Sequence, residues 1–270
     1  MAPAAASSPR LLPEGTIARL IAIAREAGAA AMAHFGDSRS TAKTDGSPVT
    51  QADTAAERVV EAGIAALGLG HPIVAEEASA AGGPPVIDAG RPFWLVDPLD
   101  GTRQFVAGVP EFTVNIALVA DRRPALGSIV APALGEAYWG GDGLGAWHDP
   151  GSGARAIAVR PPPSAGITLL ASRSHRRPGD DADRLAGHVV AAHRRMGSSL
   201  KLCLIAAGEA DLYIRHGRTM EWDTAAGHAI LEAAGGRLRA LDGGRFAYGK
   251  PGFVNPGFVA DSGAVEVCPV

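Results

Sequence analysis

Apolar residues recur at helical spacing near the start of the chain. Within residues 16–35 they form one stripe: Ile17, Leu20, Ile21, Ala24, Ala27, Ala31, Met32 and Phe35. This i, i+3, i+4, i+7 pattern predicts an amphipathic helix that ends at Gly36. A second helix is predicted over residues 50–67, because Thr50 followed three residues later by Asp53 resembles a capping arrangement. Asp53 would then lie at a helix start.

The middle of the chain contains short apolar runs typical of strands. Residues 73–75 and 93–96 form two such runs, and each ends on acidic residues. Further β-rich runs at 113–119, 126–130 and 137–139 are separated by glycine and proline. This succession predicts a meander of antiparallel strands.

In the second half of the chain, strand-like apolar runs alternate with segments of helical spacing. Strands are predicted at 167–171, 212–214 and 254–260, and helices at 182–194, 199–207 and 223–234. The clearest linker is the run of three prolines at 161–163. We therefore predict a flexible tail at 1–14, an α+β sub-domain at 15–160 that carries the metal-binding motifs, and an α/β sub-domain at 161–270 that completes the site.

Composition restricts the class of protein. The 270 residues are 47% hydrophobic and 20% charged, as in ordinary globular proteins, and this excludes disorder as the dominant state. The net charge of −3 argues against a nucleic-acid partner. The sequence has no apolar run long enough for a membrane helix, no signal-peptide pattern, and only two distant cysteines. We expect a cytoplasmic protein, with peripheral membrane association left open.

Acidic residues stand at the ends of the predicted elements. Asp97 and Asp100 directly follow an apolar strand and precede Gly101 and Thr102. Both carboxylates and the Leu99 carbonyl can converge on one point, and such hard oxygen ligands suit Mg²⁺. The alternative is a turn in which an aspartate caps the following segment.

Three more acidic residues, Asp53, Glu76 and Asp223, occupy similar positions. Taken singly, Asp53 and Asp223 fit the N-terminal cap of a helix equally well. A shared pocket of carboxylates would repel itself by several kcal/mol unless cations lay between them. Together they therefore suggest a site with two or more metal ions, an arrangement used for phosphoryl transfer.

Two longer segments carry a family resemblance. Residues 93–102 (FWLVDPLDGT) and 222–227 (WDTAAG) resemble the signatures of the inositol monophosphatase superfamily of magnesium-dependent, lithium-sensitive phosphomonoesterases. Residues 75–77 and 43–53 fit the same family in order. Within it, segments 111–118, 172–175 and 197–201 are most similar to bacterial 3′(2′),5′-bisphosphate nucleotidases of the CysQ type. The resemblance implies an α/β (α+β) fold, a layered αβαβα sandwich like that of inositol monophosphatase and fructose-1,6-bisphosphatase.

The resemblance also implies residue roles. Two to three Mg²⁺ ions would be bound by Glu76, Asp97, the Leu99 carbonyl, Asp100 and Asp223. Asp53 and Thr102, assisted by Glu76, would orient and deprotonate the attacking water. The backbone amides of Gly101 and Thr102 would bind the scissile phosphate, and further substrate contacts are expected from His175, Ser198, Lys201, Arg215 and Asp223. Of these, Lys201 and Arg215 would bind a second phosphate.

The expected reaction is hydrolysis of adenosine 3′,5′-bisphosphate to AMP and phosphate, and a homodimer is left open. The alternative within the fold is an inositol-phosphate or other sugar-phosphate phosphatase. A haloacid-dehalogenase phosphatase is disfavoured because its two aspartates are two positions apart, whereas Asp97 and Asp100 are three apart. A non-catalytic nucleotide-binding protein would not need the intact acidic residues.

Overall fold

The first part of the chain folds as two helices against a large sheet. The structure, a computed structural model, describes residues 13, 15–36, 41–42, 48–173, 185 and 187–268. Its helices are α1 (Thr16–Met32), α2 (Gln51–Ala65), α3 (Glu76–Gly82), α4 (Thr102–Val106), α5 (Leu200–Ala206) and α6 (Ala225–Ala233). The tail at 1–14, apart from Pro13, and the segment 43–47 lie outside the described residues.

Seven strands form the first sheet, in the order of the chain: β3 (Ile73–Ala75), β4 (Phe93–Asp100), β5 (Thr113–Ala120), β6 (Arg123–Ala131), β7 (Glu136–Gly141), β8 (Gly145–Asp149) and β9 (Arg155–Ile157). β3 pairs parallel with β4, and every later neighbour is antiparallel. The predicted antiparallel meander is therefore confirmed, and β8 and β9 extend it beyond the predicted runs. A short hairpin, β1 (Thr41–Ala42) with β2 (Pro48–Val49), precedes α2.

The predicted apolar stripe of the first helix packs against this sheet. α1 packs on α2, β5 and β6, and α2 packs on β4. Leu20, Ala24, Ala27 and Ala31 are fully buried, together with Val60 of α2. α1 ends one turn earlier than predicted, because residues 33–36 form turns. This packing fixes the start of α2 beside the end of β4, where the acidic residues lie.

A second, five-stranded sheet is formed by the later residues, in the order β11 (Val190–Met196), β10 (Ile167–Ser172), β12 (Leu212–Arg215), β16 (Phe258–Asp261) and β14 (Arg237–Ala240). A two-stranded pair, β13 (Thr219–Met220) with β15 (Val254–Asn255), lies beside it in the chain. α6 packs on β5 to β8 of the first sheet and on β14 of the second, and α5 packs on α6, β12 and β16. Both helices thus lie between the two sheets.

The predicted α/β class is confirmed. The described residues form four layers, namely helices α1 and α2, the first sheet, helices α5 and α6, and the second sheet. A fifth, outer layer is not among the described residues. The first sheet ends at Ile157 and the second begins at Ile167, so the three prolines lie in the segment that connects the two sheets. The division into sub-domains stays a prediction. No helix in the described ranges combines the length and the apolar character that a bilayer crossing requires.

The helix predicted at 182–194 is wrong where the structure describes it. Val190–Met196 is an edge strand that pairs parallel with β10, from Ile167 opposite Val190 to Ser172 opposite Met196. Alanine-rich sequence favours a helix locally, but hydrogen bonding to a neighbouring strand overrides that weak preference. The strand predicted at 254–260 is divided in two, because Pro256 and Gly257 separate β15 from β16.

Candidate active site

The end of β4 places two carboxylates at the edge of the first sheet. The pairing of β4 with β5 is regular as far as Asp97 and shifts register before Asp100. Asp97 is 1% exposed, and its Oδ1 accepts a hydrogen bond from the Leu99 amide at 3.0 Å. The Asp100 carboxylate accepts one from the amide of Ser199, which precedes α5. The register shift thus turns the end of β4 toward the second half of the chain.

Glu76 is the first residue of α3 and follows β3 directly. The start of this helix is held by Glu57 of α2, whose carboxylate accepts hydrogen bonds from the amides of Glu77 and Ala78, both at 2.8 Å. Burial raises the pKa of Glu57, and these amide bonds oppose the rise. Glu57 therefore links α2 to the helix that carries Glu76.

Asp223 lies in a turn before α6 and not at its N-cap, which is Thr224. Its Oδ2 accepts a hydrogen bond from the Met220 amide at 2.8 Å. The Asn255 side chain supports this turn by donating to the Met220 carbonyl and to the Thr224 hydroxyl. The buried Glu221 anchors it further through the amides of residues 249 and 250.

Glu76, Asp97 and Asp223 each place one carboxylate oxygen within 4.8 Å of the other two. Burial, followed by repulsion from Glu76, raises the pKa of Asp97 well above its usual range. Burial, followed by repulsion from Asp100, does the same to the pKa of Asp223. The set contains only oxygen donors, which suit a hard divalent cation, and a bound cation would offset the repulsion.

Asp53 and Thr102 lie next to this cluster. The predicted capping box is present, since Thr50 donates to Asp53 Oδ2 from both its amide and its hydroxyl, each at 2.7 Å. The other oxygen, Asp53 Oδ1, lies 3.2 Å from the Thr102 hydroxyl, which also lies 3.2 Å from the Leu99 carbonyl. Gly101 has a φ of 96°, a left-handed conformation that favours glycine.

One wall of the site is basic. A cavity of about 540 Å³ is lined by Glu76, Asp97, Asp100 and Asp223 and also by Lys201 and Arg215. Lys201 is 5% exposed; its ammonium donates to the Met196 and Ser198 carbonyls and lies 5.2 Å from the centre of the Tyr213 ring. Burial lowers the pKa of Lys201 to about 8, against the opposing attraction of Asp100.

The structure brings most of the predicted site residues together. The cavity is lined by Glu76, Asp97, Leu99, Asp100, Gly101, Thr102, Ser198, Lys201, Arg215 and Asp223, with Asp53 buried behind Thr102. His175 lies outside the described residues. Lys201 does not lie on an exposed helix face, because every residue of α5 is buried. Sequence reasoning missed Glu57, Tyr213 and Glu221, whose positions in the pattern carry no distinguishing signal.

Comparisons with known proteins agree with this geometry. The chain matches the inositol monophosphatase family over residues 13–265. It is 40% identical over 250 residues to the 3′(2′),5′-bisphosphate nucleotidase CysQ of Salmonella typhimurium, covering 87% of this chain and 95% of that protein. It is 34% identical over 250 residues to a histidinol-phosphatase of Mycobacterium tuberculosis, covering 89% and 93%.

A solved structure extends the similarity to three dimensions. The crystal structure of CysQ from Bacteroides thetaiotaomicron, a bacterial member of the family, superimposes with a TM-score of 0.76 at 32% identity. The match covers 93% of this chain and 98% of that one. Together with the acidic cluster at the ends of β3 and β4, these similarities show that the chain belongs to the inositol monophosphatase family.

Proposed function

We propose that this chain is a Mg²⁺-dependent phosphomonoesterase that hydrolyses the 3′-phosphate of adenosine 3′,5′-bisphosphate to give AMP and inorganic phosphate. The observation that carries the proposal is that one cavity is lined both by the acidic cluster and by two cationic side chains, Lys201 and Arg215. A monophosphate needs only the metal ions as counter-charge, whereas a bisphosphate needs further cations away from them. The named activity of the CysQ relatives supports the same substrate.

The acidic residues would hold two to three magnesium ions. Glu76, Asp97, the Leu99 carbonyl, Asp100 and Asp223 supply oxygen donors around the cavity. When bound, magnesium supplies Lewis-acid polarisation of the phosphate and makes a nearby water more acidic. The burial of Asp97 and Asp223 and the repulsion from neighbouring carboxylates support a role as cation ligands, because a bound cation would offset that repulsion.

Asp53 and Thr102 would orient the attacking water and accept its proton. Both hydrogen bonds from Thr50 go to Asp53 Oδ2, so Oδ1 faces Thr102. The Thr102 hydroxyl can therefore donate to Asp53 while it accepts a hydrogen bond from water, which orients the water's lone pair toward the phosphate. The backbone turn at Gly101 would present amide groups to that phosphate.

The substrate side would bind the second phosphate and the nucleoside. Lys201 and Arg215 would form charge-assisted hydrogen bonds to the 5′-phosphate, supported by Ser198. His175 stays a predicted nucleoside contact. The cytoplasmic location and the homodimer also stay predictions.

The decisive experiment compares phosphate release from three esters by the purified protein: adenosine 3′,5′-bisphosphate, inositol 1-phosphate and histidinol phosphate. With Mg²⁺ we expect kcat/KM to be at least about tenfold higher for the bisphosphate, since one added charge-assisted contact contributes about 1.5–3 kcal/mol. A chelator should abolish turnover. Preference for the inositol or histidinol ester would overturn the substrate assignment and leave the metal site intact.

A further inference from the structure

Glu111 lies in the loop between α4 and β5, and its side chain is 13% exposed. The carboxylate does not line the cavity and belongs to neither the acidic cluster nor the basic wall described above. It nevertheless contacts two segments that reach the cavity from the second half of the chain. We refer to Glu111 with its partners Arg173 and Gly197 as the Glu111 bridge.

Both carboxylate oxygens of Glu111 are engaged. Arg173 donates from its Nε to Oε2 at 2.8 Å and from its Nη2 to Oε1 at 2.5 Å, a bidentate pair. The amide of Gly197 donates to Oε2 at 2.7 Å. Although partial burial opposes the change, these bonds lower the pKa of Glu111, so the carboxylate is ionised at neutral pH. The three donors come from residues 62 and 86 positions further along the chain.

The backbone of Glu111 is packed equally closely. Its carbonyl oxygen would lie 3.0 Å from a Cβ placed on Gly101 and 2.7 Å from one placed on Gly197. Residue 111 therefore separates the turn predicted to bind the scissile phosphate from the segment that leads to Ser198 and Lys201. Glu111 thus packs between Gly101 and Gly197 through its carbonyl oxygen and bonds to Gly197 through its carboxylate.

Arg173 connects the bridge to the other segment of the basic side. It follows Ser172 at the end of β10, and Ser172 lines the cavity. Gly197 precedes Ser198, whose carbonyl accepts a hydrogen bond from the Lys201 ammonium. One carboxylate from the first half of the chain thus fixes the ends of both β10 and β11 where they border the cavity.

We propose that Glu111 is a positioning residue for the substrate: its ionic bridge to Arg173 and Gly197 sets the spacing between the phosphate-binding turn and the basic wall that receives the second phosphate. This inference rests on the proposed function. The three-carboxylate cluster is held by other bonds, from the amides of Leu99 and Met220 and through Glu57 at α3. Loss of the bridge therefore leaves Glu76, Asp97 and Asp223 held in place, and its main effect is on substrate binding.

The test is Glu111→Gln, which keeps the volume of the side chain but replaces one acceptor oxygen with an amide that faces N–H donors. KM for adenosine 3′,5′-bisphosphate should rise about five- to tenfold, with kcat and the half-saturating Mg²⁺ concentration within about twofold of wild type. The matched control is Glu209→Gln, which breaks the exposed Arg194–Glu209 ion pair outside the cavity and should change none of these three constants.

A fall in kcat at unchanged KM, or an equal change in Glu209→Gln, would overturn the proposal. Arg173→Ala removes the other partner of the ion pair, at a side chain that is 43% exposed. It should raise KM in the same way and serves as the test if Glu111→Gln folds poorly. The wild-type rates on the three esters distinguish failure of the proposed substrate from failure of the role proposed for the Glu111 bridge. If wild type prefers another ester, the proposed substrate fails, and the bridge is judged by the same KM-against-kcat comparison on that ester.

Discussion

Lys201 has an ammonium group enclosed by two carbonyls and an aromatic ring, with Asp100 and Arg215 as its strongest charged neighbours. Burial removes most of its hydration, and this lowers its pKa to about 8. Tyr213, which lies under the ammonium, has its pKa raised to about 12 by burial and so stays neutral in this range. Lys201 is therefore the group of this pair whose charge changes in mildly alkaline solution.

This pKa predicts a pH dependence of substrate preference. As pH rises through about 8, Lys201 loses its proton and its attraction for the second phosphate. The ratio of kcat/KM for adenosine 3′,5′-bisphosphate to that for adenosine 3′-monophosphate should therefore fall between pH 7 and 9, because kcat/KM reports the free enzyme. Steady-state kinetics on both esters across this range would measure it.

Lys201→Arg is the control, since arginine keeps its charge throughout the range. The ratio should then stay level from pH 7 to 9, even if its absolute value changes. A level ratio in the wild-type enzyme would contradict the assignment of Lys201 to the second phosphate.

The helices show how one element positions another. α3 has only seven residues, and an isolated helix of this length is not stable in water. Its first turn is held by the two hydrogen bonds that Glu57 of α2 accepts. α2 is in turn fixed at its start by the Thr50–Asp53 capping box. Two acidic residues of the site, Asp53 and Glu76, are thus linked through a single helix.

Glu57→Gln should loosen the start of α3 and with it Glu76. One oxygen acceptor is lost where two amides need partners, at a cost of about 1–3 kcal/mol in the free energy of unfolding. We expect the half-saturating Mg²⁺ concentration to rise about five- to tenfold, because the cluster loses a well-placed carboxylate. Mg²⁺ titration of phosphate release and denaturant unfolding would measure the two effects.

Glu61→Gln is the matched control for this change, since Glu61 lies one turn further along α2 and carries the same charge. It should leave the Mg²⁺ requirement unaltered. If both variants shifted the Mg²⁺ requirement equally, the effect would be one of general charge and not of the hydrogen bonds to α3.

Elements with a strong local signal were predictable. The capping box at Thr50 and the apolar runs before Asp97 and after Glu111 could be read directly, because the preferences that form them are local. The strand at 190–196 could not, since it forms by pairing with β10 at an edge where its side chains are mostly exposed. The burial of Lys201 and the Glu111–Arg173 ion pair depend on contacts between segments far apart in the chain. The periodicity of apolar residues within one segment cannot predict such contacts.

For the whole molecule, the site between the two halves has consequences for stability. Burial and mutual repulsion raise the pKa values of Asp97 and Asp223, and burial raises that of Asp100. A carboxyl whose pKa is raised by folding binds protons more tightly in the folded state. Without a cation, stability therefore falls as pH rises above the unfolded value of about 4 toward the folded pKa. A bound cation would offset this loss at neutral pH.

Because charge repulsion and metal binding have opposite effects, wild type and Asp97→Asn should differ in melting temperature in opposite directions without and with Mg²⁺. Without metal, Asp97→Asn removes one repelling charge, keeps the acceptor for the Leu99 amide, and should melt at or above the wild-type temperature. With Mg²⁺ at about 100 times its dissociation constant, wild type should gain about 2.7 kcal/mol, or roughly 5–10 °C in Tm, whereas the variant gains little.

Calorimetry in chelator and in Mg²⁺ would measure both melting temperatures, with Asp88→Asn, an exposed aspartate, as the control that keeps the wild-type gain. Asp97→Asn should also lose at least about a thousandfold in kcat, since its carboxylate belongs to the cluster that would hold the metal ions. A variant that melted well below wild type in chelator would indicate that Asp97 stabilises the fold. The repulsion inferred for the acidic cluster would then be wrong.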